Sequence, residues 1–336
     1  MMRQIDKIVT RYTDILKQYI EQKDESALED VQALSFEAIE LDISPEEIVI
    51  LHKDIVIEAG YNAIEQHYAM DVLTEMIIGF GFTYRDYKAL VRVMEAHDKE
   101  MDVAASLQTT MLKTQIPHLN NVQIGAISVP AHRVNGDYFN LIDHKDGTMS
   151  FAVADVIGKG IPAALAMSMI KFGMDSYGHS QLPSDGLKRL NRVVEKNINQ
   201  NMFVTMFYGL YEEINNKFYF ASAGHEPGYI YRKNSDTFEE LNARGLVLGI
   251  HPATRYDQEE LELEIGDMII VYTDGVSELR HLNGDFISTK ELLSYIYQYK
   301  DLHPQDIVQV VYEQLITIGD PKKRDDLTIL IIKRIK

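Results

Sequence analysis

Apolar residues change their spacing once, near Pro117, and the chain divides there. Before that point they recur three and four positions apart, as on one face of a helix. Ile5, Ile8, Val9, Tyr12, Ile15, Leu16 and Tyr19 make the first such face, and a second helix is predicted from near Ser26 to Leu41. Ser44-Pro45-Glu46-Glu47 marks the start of a third: Ser as N-cap, Pro at the first helical position, Glu three residues after the cap. Gly60 stops it, and a fourth helix begins near Glu65. Residues 1–83 are therefore expected to form an all-helical bundle of four.

The fourth helix carries no stop signal, since Tyr84 to Lys113 contains neither proline nor glycine. Leu90, Met94, His97, Met101, Ala104, Gln108 and Met111 alternate spacings of four and three, which is a heptad seam. Two arrangements satisfy it: a helix packed on its own domain, or a two-stranded coiled coil weakened by His97, Ala104 and Gln108. The coiled coil is preferred for this connector (84–116), because a marginally stable element can be ordered by a partner.

After Pro117 the pattern becomes short apolar runs, from 123–129 and 138–142 through to 327–332, punctuated by turns such as Asn215-Asn216, Gly224 and Gly266-Asp267. Helices are expected at about 163–176, 185–199, 289–299 and 304–318. Consecutive strands with short turns imply antiparallel sheets, and paired helices between strand groups imply outer layers. Residues 117–336 thus read as an α+β domain of two stacked, largely antiparallel sheets flanked by helices.

Composition narrows the partners. The net charge is −18 over 336 residues, and the longest basic run is Lys322-Lys323-Arg324. Neither nucleic acid nor an anionic membrane is expected as the main partner. There are no cysteines, which removes disulfides, zinc–thiolate sites and thiol nucleophiles. Met-Met-Arg-Gln-Ile-Asp-Lys at the start lacks an apolar core, and no stretch is long enough to span a bilayer, so a cytoplasmic location is expected.

The candidate chemistry centres on Phe151 to Leu165. A four-residue apolar strand leads to Asp155, followed by Gly158 and Gly160 and a helix opened by Pro162. A buried carboxylate there needs a partner. Asp137, Asp274 and the pair Asp325-Asp326 share the same strand-edge context. Each alone reads most simply as a turn or cap residue. Together they would repel unless cations held them. Oxygen-only ligation suits Mg²⁺ or Mn²⁺, and two such ions roughly 3.5–4 Å apart can activate a water for in-line attack on a phosphate ester. No GxxxxGK loop and no GxSxG elbow is present.

Gly136-Asp137-Tyr138, Ala154-Asp155-Val156 with Gly158-Lys159-Gly160, Ala221 to Pro227 (Ala-Ser-Ala-Gly-His-Glu-Pro), Thr273-Asp274-Gly275 and Asp325-Asp326-Leu327-Thr328 occur in a specific order. In order and spacing they resemble the SpoIIE-type branch of the metal-dependent protein phosphatases (PPM), and the whole chain resembles the RsbU-type serine phosphatases of that branch. The resemblance implies a PPM-like α-β-β-α sandwich at 117–336, with 1–83 a partner-binding and dimerisation domain. It implies two Mn²⁺ or Mg²⁺ ions, with Asp155 bridging them and the Val156 carbonyl adding a ligand. Asp274 and Asp325 would complete the first site and Asp137 would reach the second, with Asp326 the alternative to Asp325.

The chain departs from the branch at two points. Asn140 stands where an acid often lies three residues after the first Asp, which would leave the second metal short of negative charge. Lys159 stands where His is common. Arg133 lies one position away from the phosphate-binding Arg of eukaryotic members. His225 could donate a proton to the leaving seryl oxygen or simply shape its turn. The implied substrate is phosphoserine on an anti-sigma-factor antagonist, in a stress sigma-factor pathway. An RsbT-type switch protein would activate the enzyme, a homodimer, through the N-terminal domain, with Gly158 and Gly160 in the relay. A phosphatase-like scaffold that binds a phosphoprotein without cleaving it is the rival from another class; a kinase is disfavoured by the missing phosphate-cradling loop.

Overall fold

The computed structural model describes residues 2–158, 160–176, 181–197, 202–320 and 324–336. Lys159, Lys322, Lys323, the end of the helix predicted over 185–199 and the side chain of Ile5 lie outside what is described. The chain forms two compact units, Met1–Lys99 and Glu100–Lys336.

The first unit holds α1 (Met2–Gln22), α2 (Ser26–Glu40), α3 (Pro45–Ala59) and most of α4 (Ala63–Met111). Their apolar faces meet in one core around Tyr12, Leu16, Leu34, Ile48, Val72 and Met76. The capping box at α3 is present: Ser44 Oγ accepts from the Glu47 amide and Glu47 accepts from the Ser44 amide at 2.8 Å. Gly60 closes α3 at φ +66°, a left-handed conformation suited to glycine. α4 starts two residues before its predicted position because Asn62 caps it, accepting from the amides of Ile64 and Glu65 at 2.9 and 3.1 Å. Among the described residues no helix is long and apolar enough to cross a membrane.

The second unit is built on two five-stranded antiparallel sheets. One has the order β1 (Val122–Val129), β10 (Leu327–Arg334), β9 (Met268–Tyr272), β6 (Gly228–Arg232), β7 (Thr237–Leu241). The other runs β2 (Asp137–Asp143), β3 (Thr148–Ile157), β4 (Phe203–Glu212), β5 (Lys217–Ala223), β8 (Glu259–Glu262). Alternate side chains of both sheets fill the space between them, with Phe151, Phe207, Phe218 and Phe220 stacked on one side and Ile269, Val271, Leu330 and Ile332 on the other. The opposite face of the β3 sheet is covered by α5 (Ile161–Asp175) and α6 (Pro183–Asn197). That of the β9 sheet is covered by α8 (Thr289–Gln298) and α9 (Pro304–Ile318). This is the α-β-β-α sandwich expected from the alternation of strand groups and helix pairs.

One strand boundary differs in a way that matters. The apolar run suggested that β3 stops at Ala154, but pairing continues to Ile157. Asp155 therefore lies inside the sheet, opposite Asp137 of β2 on one side and Thr205 of β4 on the other. Hydrophobicity alone ends a strand where polarity begins; the ladder hydrogen bonds do not.

Candidate active site

Two features of the topology bring the aspartates together. Within the β3 sheet, Asp137 and Asp155 occupy directly opposed positions, a pairing of like charges that costs stability on its own. In the facing sheet, β9 and β10 are antiparallel neighbours, with Tyr272 opposite Ile329. The residues just after β9 and just before β10 therefore emerge side by side. These are Thr273 and Asp274, which opens the short helix α7 (Asp274–Ser277), and Asp325 with Asp326. The Thr273 amide donates to the Thr328 carbonyl at 3.1 Å, closing this end of the sheet.

Asp137 is 1 % exposed. Its Oδ2 accepts a hydrogen bond from Thr273 Oγ1 at 2.6 Å, whereas its Oδ1 is buried without a hydrogen-bond partner among the described residues. Burial first, and then the neighbouring charge of Asp155, push its carboxyl well above the ordinary range. Asp155 is pushed up to about 7, by burial and then by Asp274, Asp325 and Asp326. Asp274 is pushed up to about 6, by burial and then by Glu278, Asp325 and Glu226. A Cβ placed on Gly136 would lie 3.2 Å from an Asp326 carboxylate oxygen, 3.5 Å from Asp155 Oδ1 and 3.7 Å from the Val156 carbonyl oxygen. These oxygens share one small space.

Asp325 and Asp326 are not equivalent. Asp326 is a clasp: its Oδ1 accepts from the Ala131 amide at 2.7 Å and its Oδ2 from the Gly136 amide at 2.5 Å. Asp325 is exposed, and one of its oxygens accepts from the Asp326 amide at 2.9 Å. The backbone of this pair is packed against Gly275, where a Cβ would lie 1.8 Å from the Asp326 carbonyl oxygen. Only glycine fits. Gly275→Ala is expected to drive the two strand ends apart, lowering stability by about 1–3 kcal/mol and removing hydrolysis; urea unfolding and phosphatase assays on the same protein check both.

The remaining sequence candidates fall in different places. Asn140 does not face the aspartates. Strand alternation turns it to the α5 side of the sheet, where its amide donates to Asp175 at 3.0 Å and accepts from Thr114 Oγ1 at 3.2 Å. The expected shortage of charge at a second metal therefore cannot be traced to this position. Arg133 is exposed on the rim, with Nε 3.4 Å from Asp102 of α4. His225 is buried, its Nδ1 2.8 Å from Thr205 Oγ1, and burial lowers its pKa to about 4. That environment favours a turn-forming role over proton donation. Gly160 precedes α5 at φ +73°, so the joint after Asp155 needs a glycine there; Gly158 is exposed in the same turn.

Sequence reasoning missed the polar residues that hold these carboxylates. Thr273 was visible only as the neighbour of Asp274, and Asn135 only as a residue two before Asp137. Gln108, taken as a weak seam residue, is 5 % exposed and bonded within the second unit, to Asn135.

The donors suit a hard divalent cation: they are all oxygens, one is a buried carboxylate oxygen without a partner among the described residues, and two carboxyls are raised by burial and then by neighbouring carboxylates. Among the described residues no three His, Asp or Glu side chains form a finished chelate, so the fit rests on donor chemistry.

Known proteins resemble this chain along most of its length. The family model for stage II sporulation protein E (SpoIIE) matches residues 145–335, and that for the N-terminal domain of phosphoserine phosphatase RsbU matches residues 10–83. Phosphoserine phosphatase RsbU of Bacillus subtilis is 41% identical over 329 residues, covering 97% of this chain and 98% of the relative. The chain belongs to the RsbU family of phosphoserine phosphatases. It is therefore a serine phosphatase, and the scaffold alternative falls away. Solved structures agree on the fold. The SiaA-PP2C domain of Pseudomonas aeruginosa superposes with a TM-score of 0.62 at 18% identity, over 73% of this chain and 99% of its own. The catalytic domain of the serine/threonine protein phosphatase PstP, solved with two manganese ions, has a TM-score of 0.50 at 14% identity, over 64% of this chain and 99% of its own.

Proposed function

We propose that this chain is a metal-dependent protein serine phosphatase that removes phosphate from a phosphoserine of an anti-sigma-factor antagonist and is switched on by a partner. The observation that carries the reading is the convergence of Asp137, Asp155 and Asp274 with Asp325 at one end of the sandwich, in a chain of the RsbU family. Asp155, the member most strongly coupled to the others, is the central ligand, with the Val156 carbonyl beside it. Asp274 and Asp325 complete one position, and the unpartnered Oδ1 of Asp137 is directed to the other. The double clasp made by Asp326 supports Asp325 as the ligand of that pair. Bound there, two Mn²⁺ or Mg²⁺ ions would supply the Lewis acidity for in-line attack of water on the phosphorus. The chain's own residues hold these oxygens through the Thr273 hydroxyl and the Ala131 and Gly136 amides.

Residues 1–83 bind an activating RsbT-type switch protein in this reading, and 84–116 connect it to the catalytic unit at 117–336. The connector helix leaves Leu90 and Met94 more than half exposed, apolar surface that supports pairing of this stretch with a second copy in a homodimer. Asp155 is followed within a few residues by α5, so a small movement of that helix about Gly158 and Gly160 would displace the carboxylate, and small displacements cost large factors in rate. Hydrolysis of the phosphorylated antagonist should be measured against Mn²⁺ concentration with and without the switch protein. The half-maximal Mn²⁺ concentration is expected to fall by about tenfold with partner; an unchanged metal dependence would overturn the switch.

A further inference from the structure

Asp137 is held by a closed ring of hydrogen bonds that no single element could supply. From its carboxylate the ring runs to Thr273 Oγ1 (2.6 Å), which accepts from the Thr328 amide (3.0 Å). Thr328 Oγ1 donates to Ser128 Oγ (2.9 Å), which also accepts from Asn135 Nδ2 (3.0 Å). Asn135 Oδ1 then accepts from the Asp137 amide (2.9 Å), completing the circuit. Four of its members come from β1, β2, β10 and the residue after β9; the fifth, Asn135, stands in a turn and has no ladder to fix it.

What fixes Asn135 is Gln108. Its Nε2 donates to the Asn135 carbonyl at 2.6 Å and its Oε1 accepts from the Asn135 amide at 2.9 Å. The two bonds also fix which way the amide is turned, since only Oε1 can accept and only Nε2 can donate. A side chain with two such bonds is costly to replace by one that makes neither. Gln108 is buried although it sits on a helix whose neighbouring positions Leu107 and Thr109 are exposed. With Ser128, Asn135 and Asp137 it lines a cleft of about 320 Å³.

We infer that Gln108 is a positioning residue for Asp137, acting through the Asn135 backbone N–H and C=O. It touches no reacting atom; it sets the turn from which the Asp137 backbone is held, and so the direction of the unpartnered Oδ1. The inference rests on the metal reading of Asp137. It predicts an effect on the ion that Asp137 reaches and none on the ion held by Asp155, Asp274 and Asp325.

Mn²⁺ binding to the full chain, followed by the electron paramagnetic resonance of free Mn²⁺, reads this without reference to activity. Gln108→Met keeps the bulk and loses both bonds, and Gln108→Ala loses bulk as well; thermal unfolding without metal shows how far each remains folded. Both variants are expected to weaken one class of Mn²⁺ site by about tenfold, in the range found when ligand-supporting residues are removed, and to leave the other within twofold. Two classes unchanged, or both weakened equally, would overturn the positioning role. If the unaltered protein binds no Mn²⁺, or binds it as well after Asp155→Asn, the metal reading itself fails and this inference with it.

Discussion

Asp155→Asn should do two opposite things: abolish phosphoserine hydrolysis and make the metal-free protein harder to melt. The first follows from its proposed place as the central oxygen donor; removing even one fixed transition-state group costs about 10²–10³ in rate, and a ligand at the centre should cost at least that. The second follows from electrostatics. In the fold its carboxyl is raised to about 7 from 3.8 by burial and by three neighbouring aspartates, so at pH 8 without metal the native state carries a charge it would shed if it could. Asn has nearly the same shape and no charge. The removed penalty is on the order of a few kcal/mol at that pH, which for a domain of this size is on the order of 5 °C or more in melting temperature. Scanning calorimetry with chelator, beside a phosphatase assay with Mn²⁺, gives both readings. A variant that is inactive and also less stable without metal would mean that Asp155 is a structural residue.

The same physics makes pH and metal oppose one another. Asp155 and Asp274 ionise near 7 and 6 in the fold and at 3.8 when unfolded. Between about pH 4 and 7 the native state therefore binds more protons than the unfolded chain, and stability must fall as pH rises. The contribution is fully present below pH 3.8 and lost by the time pH has passed 7. Metal-free protein should show a falling melting temperature from pH 5 to pH 8, after allowance for the rest of the chain by comparison with the Asp155→Asn, Asp274→Asn double variant. Adding Mn²⁺ should restore it at pH 8 and do little at pH 5, where protons occupy the same oxygens. A rise with pH in the metal-free protein relative to the double variant would contradict the raised carboxyls.

Much of this could be read from residue order, for reasons that differ between parts. The sandwich was legible because its strands are short apolar runs separated by turns and its helices come in pairs. The aspartates were legible because Asp137, Asp274 and Asp325 each sit beside a glycine or a second carboxylate, and Asp155 follows an apolar run and precedes Gly158 by three residues. The supports were not. Thr273, Thr328, Ser128 and Asn135 are short polar residues whose only distinction is the partner they meet across the two sheets, and partners distant in sequence leave no local trace. Gln108 misled for a physical reason: on a heptad a polar residue reads as a flaw in an apolar seam, while here its amide nitrogen and oxygen match the backbone C=O and N–H of one residue in another segment. Asn140 misled because distance along the chain was counted and strand parity was not.

The clasp made by Asp326 carries a last consequence, for the order in which the protein is built. Its carboxylate secures the backbone of Ala131 and Gly136 across 195 and 190 residues of chain, and β10, which follows it, is the strand between β1 and β9. A growing chain that has passed Asp274 already holds three of the four aspartates, yet β1 and β9 have nothing to join them and the Gly136 turn has nothing to close it. Such long-range pairings form slowly and late. A phosphatase built this way gains a safeguard against its own fragments: until β10 is in place, the carboxylates are only residues in a sequence.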